Sequence, residues 1–139
     1  MTILSRFAPL ASALVTSFAL VGCSSTVAMT PAANVPFAHG EVDPSFEDNG
    51  NGTITVRVAH LGDPAKLASG ATTYVVWIQP DKDDAPLQNV GALKVDDDFE
   101  GELTITTTFR QFAISVTPES AADVTKPEGT PVLTASVSD

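Results

Sequence analysis

Cysteine has the most distinctive chemistry of any side chain here, and the chain of 139 residues has one, Cys23. It closes the run Leu20-Val21-Gly22-Cys23, the pattern that bacterial signal peptidase II recognises through Leu20, Val21 and Gly22 and cuts before the cysteine. That placement predicts that Cys23 becomes the first residue of the mature protein and carries a covalent lipid. A thiolate is the right nucleophile for taking up a diacylglyceryl group as a thioether, which a serine hydroxyl does poorly at neutral pH. Each buried methylene of such a chain contributes about 0.8 kcal/mol, and one chain alone attaches only reversibly, so stable anchoring needs more than one.

Other side chains that could do chemistry are sparse or scattered. His39 and His60 have no nearby cysteine and no H-x-x-x-H spacing, so they read as solvated or strand-edge histidines and not as ligands or bases. No G-x-S-x-G elbow, H-E-x-x-H pair or phosphate-binding glycine loop occurs, and no serine or aspartate is marked as a nucleophile. The expectation is therefore a non-enzymatic protein with no catalytic residues, no metal ligands and no cofactor beyond the lipid. Calcium is the sharpest alternative: Glu47-Asp48-Asn49-Gly50-Asn51-Gly52-Thr53-Ile54 resembles the first half of a calcium loop. The twelfth position is Val58 where a bidentate glutamate is required, which excludes an EF-hand site. Asp81, Asp83 and Asp84, and separately Asp96, Asp97, Asp98 and Glu100, would form a weak site only if the two loops converged.

Around these residues the chain divides into three parts. Residues 1–22 have the order of a secretory signal: a basic start at Arg6, an apolar stretch from Phe7 to Val21, and the cleavage pattern. The apolar stretch is shorter than the about 20 residues a membrane-spanning helix needs. Residues 23–46, with Pro31, Pro36 and Pro44 among Ser, Thr and Ala, read as a lipidated flexible tether. Residues 47–139 read as one domain. Arg6 is the only charge before Cys23, so the mature part carries six basic and seventeen acidic residues, a formal charge of −11 against −10 for the whole chain. That balance speaks against nucleic acid and against adsorption to anionic headgroups, both of which need a basic patch. With its only cysteine taken by lipid, the domain folds without a disulfide or a thiolate zinc site.

Within the domain the hydrophobic period is two. Ile54, Val56 and Val58 alternate with polar residues; Thr72 to Gln79 is β-branched and aromatic; Leu87 to Val95 is a weaker strand, with a bulge or a close backbone approach expected at Gly91. Asp96 to Gly101 reads as a hairpin turn, followed by strands through Leu103 to Phe109, Phe112 to Thr117 and Val132 to Val137. A single helical turn is expected near Pro64 to Leu67. Tyr74 and Trp77, three apart, must face opposite sides of one strand, with Trp77 expected in the core. This pattern predicts an all-β fold, an antiparallel immunoglobulin-like sandwich of about seven strands, with a small barrel as the alternative.

The runs Tyr74-Val75-Val76-Trp77-Ile78, Val90-Gly91-Ala92-Leu93, Ile114-Ser115-Val116-Thr117-Pro118-Glu119 and Lys126-Pro127-Glu128-Gly129-Thr130-Pro131-Val132-Leu133 resemble the extracytoplasmic domain of anti-sigma-K factors, over roughly Thr72 to Val137. The resemblance implies an immunoglobulin-like fold and an exported location. It does not carry sigma-factor binding, because the family's cytoplasmic region and transmembrane helix are replaced here by the lipoprotein signal, and Ser120-Ala121-Ala122 stands where the family tends to have glycines. The function expected is that of a lipid-anchored envelope protein that binds another envelope protein or supports an assembly; a small-ligand or calcium module acting through the acidic loops is the alternative. Ser24, in place of an aspartate after the cysteine, favours the outer membrane, facing the periplasm or the cell surface, over the inner membrane.

Overall fold

The computed structural model describes residues 25–139; Leu20 to Cys23 lie outside the described residues. Alternating apolar side chains along extended segments can be buried only by pairing the segments and facing two such sheets. The described chain forms nine strands: β1 (Val27–Ala28), β2 (Thr30–Pro31), β3 (His39–Phe46), β4 (Gly52–Ala59), β5 (Thr73–Pro80), β6 (Gln88–Leu93), β7 (Gly101–Thr107), β8 (Gln111–Glu119) and β9 (Leu133–Ser138). One helical turn, α1 (Pro64–Leu67), follows β4; Asp63 caps it, its carboxylate accepting the Ala65 N–H at 3.0 Å.

Two antiparallel sheets result, one in the order β1-β3-β4-β7 and one in the order β2-β9-β8-β5-β6. They pack as a β-sandwich around Val42, Ile54, Val56, Val58, Tyr74, Val76, Ile78, Leu93, Phe112, Ile114, Val116, Leu133 and Val137. Burial of each such large apolar side chain contributes about 1.5–3 kcal/mol. The chain crosses between the sheets after β1, β2, β4, β6 and β7. The expected bulge is present: the register of β5 and β6 shifts between Val76 and Trp77, and Gly91 has φ +142° with the Leu103 side chain against it.

The structure corrects the expected tether and the domain boundary at residue 47. Residues 27–46 are part of the sandwich: Val42 is fully buried, and Met29, Val35 and Ala38 join the core. Pro44 sits inside β3 for a specific reason. The Met29 N–H donates to the Gly40 carbonyl at 2.8 Å, so the polar groups of Gly40 point toward β1. Alternation aims those of Pro44 the same way, beyond the two-residue β1 and away from β4, so its missing N–H leaves no ladder bond unmade. Pro31 likewise lies on an edge, in the two-residue β2 beside β9.

Candidate functional site

The described chain approaches the predicted lipid attachment point at β1. Val27 pairs with Val42 and Ala28 with Glu41, and the Thr26 hydroxyl donates to the Asp43 carboxylate. Arg57 on β4 bridges Asp43 and, at 2.8 Å, Glu102 on β7, so three strands are tied across the outer face of the first sheet. The Thr26 hydrogen bond, with the Arg57 guanidinium second, holds the Asp43 carboxyl below its ordinary value. Next to this network the Thr55 and Thr104 hydroxyls meet at 3.2 Å.

The acidic loops do not meet. The turns 47–51, 81–87 and 108–110 gather at one end of the sandwich, where Arg110 donates to the Glu47 carbonyl at 2.9 Å. The turn 96–100 lies at the other end, with residues 60–72 and 32–38: the Leu61 N–H donates to the Phe99 carbonyl, and His39 opens β3 opposite Ala59. The convergence that a weak calcium site needed between residues 81–84 and 96–100 is thus overturned by the topology. Asp96 Oδ1 accepts the N–H groups of Asp98 and Glu100, and Asn49 Oδ1 accepts that of Asn51. Among the described residues no three His, Cys, Asp or Glu side chains gather as a metal site would need. His39 and His60 are both exposed; His39, expected in the tether, begins β3 and lies 3.5 Å from Glu41.

Tyr74 and Trp77 do face opposite ways, and both are fully buried, Trp77 as expected. Tyr74 points between the sheets, and its hydroxyl donates to the Gly62 carbonyl at 2.7 Å. Burial, with a smaller push from the Asp63 charge, raises its phenol to about 12. Trp77 is on the outer face of the second sheet, and yet it is 0 % exposed. The cover is the connection 120–131. Asn89, the β6 partner of Trp77, donates to the carbonyls of Ala122 and Val124 at 2.8 and 2.9 Å, which lays this segment across the face.

A chain of polar groups lies beneath it. Trp77 Nε1 donates to Thr117 Oγ1 at 2.8 Å, Thr117 donates to Glu119 Oε1 at 2.5 Å, and Glu119 accepts the Glu128 N–H on both oxygens at 3.1 and 3.0 Å. The Gly129 N–H adds a contact at 3.4 Å. Glu119 is 1 % exposed, so its carboxylate is sealed from solvent and its lone pairs are taken by the fold. Such a group holds the segment in place and cannot reach a substrate. Sequence reasoning missed it, although a signal was present: Ser115, Thr117 and Glu119 share one parity of β8, opposite Trp77, Val75 and Thr73 of β5. Phe37 was missed too; it is 85 % exposed at the turn before β3.

Fold and side-chain geometry define the described part as an antiparallel β-sandwich with one outer face roofed by its own connection. Comparison with protein-family models, with curated proteins and with solved structures returned no match.

Proposed function

We propose that this chain is a lipid-anchored, non-enzymatic protein of the bacterial envelope whose β-sandwich binds another envelope protein or supports an envelope assembly. One observation carries the reading: the sole cysteine, Cys23, ends Leu20-Val21-Gly22-Cys23 after a signal-like stretch and only four positions before the folded domain begins at Val27. The lipid is covalent and no further cofactor enters. The sandwich is immunoglobulin-like, in keeping with the resemblance to the extracytoplasmic domain of anti-sigma-K factors. Contacts to a partner run through loops and sheet edges, as is usual for such folds. Ser24 after the cysteine directs the protein to the outer membrane.

The direct test is Cys23→Ala in cells. The wild type partitions into the detergent-extracted membrane fraction with an intact mass that includes the lipid; the variant remains an uncleaved precursor. A variant processed and lipidated like the wild type removes the anchor. Cross-linking in intact cells with the same pair then addresses the partner: a specific envelope protein enriched with the wild type and lost with Cys23→Ala supports the binding role, and no protein enriched above that control overturns it.

A further inference from the structure

We infer that the end of the sandwich carrying residues 47–51, 81–87 and 108–110 is the face held against the lipid headgroups. This inference rests on the anchored reading above and adds the surface and its partner, a phosphate-bearing lipid layer. The path of the chain supplies the argument. Because β1 runs antiparallel to β3, moving back from Val27 is moving forward along β3, and the Thr26 hydroxyl accordingly bonds Asp43. From Asp43 it is three residues to Phe46, where β3 ends, or about 10 Å along a strand. From Thr26 it is three residues back to Cys23, at most about 11 Å of chain. A lipid on Cys23 therefore reaches the level of Phe46 and little further. The opposite end, where His39 begins β3, lies four residues from Asp43 in the other direction, about 14 Å along the strand and beyond that length of chain.

The near end is one continuous surface. Phe112 pairs with both Pro80 and Val137, the Asp81 N–H donates to the Gln111 carbonyl at 3.0 Å, and Arg110 joins Glu47 to Asp139. Its charges are Glu47, Asp48, Asp81, Asp83, Asp84 and Asp139 against Lys82 and Arg110. An acidic surface does not adsorb to lipid phosphate by itself. The short leash holds it there, so the contact depends on leash length and not on affinity.

The test uses the full chain, lipidated in bacteria, purified in detergent and reconstituted into phosphatidylcholine vesicles that contain a lipid with a nitroxide on its headgroup. With the Cys23 sulfur blocked as a thioether, Asp83→Cys or Asp97→Cys supplies the one thiol for a fluorophore. Quenching is expected to be several-fold stronger at position 83 than at position 97, and about ten Gly and Ser residues inserted between Ser24 and Ser25 should bring the two near equality. Equal or reversed quenching without the insertion, in a protein whose mass shows the lipid, overturns the orientation alone. A chain that lacks the lipid mass and fails to float with vesicles overturns the anchor and the orientation together.

Discussion

At the scale of single residues, a buried polar group is tolerable only when its hydrogen bonds are made, and removing one partner exposes the cost of the rest. Thr117 is at once the acceptor for Trp77 and a donor to Glu119. Thr117→Val keeps the shape and removes both bonds, so it should lower stability by about 1–3 kcal/mol in urea unfolding. Thr117→Ser should restore most of that. As Trp77 is the only tryptophan, its emission reports on the same site, and an unchanged spectrum and midpoint in Thr117→Val would contradict the role given to this chain. Tyr74, the only tyrosine, gives a pH signature. Its phenol is raised from 10.0 to about 12 by burial, so folding favours the neutral form. The stabilisation is complete below pH 10 and is lost as the pH climbs through about 12. Tyr74→Phe should flatten that alkaline fall in melting temperature, and a variant that keeps the wild-type slope would show that another group causes it.

Among the elements, the first three strands are where expectation and structure parted. A chain beginning at Ser25 should fold, whereas one beginning at Glu47 should lose cooperative unfolding, since it lacks β1 to β3 with Met29 and Val42 and uncovers one whole edge of β4. Retained cooperativity in the shorter chain would restore the tether reading. Asp43 joins these strands, and its carboxyl is held below the ordinary 3.8 by Thr26 and then Arg57. That contribution is present above pH 3.8 and disappears as the pH falls below it, so Asp43→Asn should shallow the acid limb of stability. The connection 120–131 has its own sensitive point. A Cβ on Gly129 would lie 2.2 Å from the Pro118 carbonyl oxygen, a backbone atom that cannot turn aside. Gly129→Ala should therefore shift the segment, red-shift Trp77 emission and raise its quenching by acrylamide. Ala substitution at Gly50, which has nothing within 4 Å but φ +90°, should leave Trp77 alone.

For the whole molecule, the acid excess acts as mutual repulsion that salt relieves. The Debye length falls from about 10 Å at 0.1 M to about 3 Å at 1 M, so melting temperature should rise with sodium chloride; a fall would mean that the Arg57 and Arg110 ion pairs outweigh the repulsion. Strand alternation in Gly52–Ala59, the apolar run of β5, the Gly91 bulge and the turn at Pro64 were all readable in the sequence, because each follows from neighbours a few positions apart. So were the acidic balance and the Leu20-Val21-Gly22-Cys23 pattern. Pairing partners are not local, and the misreadings came from that. A proline forbids a strand only on the side its nitrogen faces, and for Pro31 and Pro44 the sheet order decided that side. Alternation put Tyr74 and Trp77 on opposite faces, yet which face met the other sheet, and that the second would be roofed by residues 120–131, depended on contacts between segments up to 48 residues apart. Sequence alone determined the class of fold; the tertiary structure decided where the folded strands begin, which aromatic ring packs between the two sheets, and which loops can never share an ion.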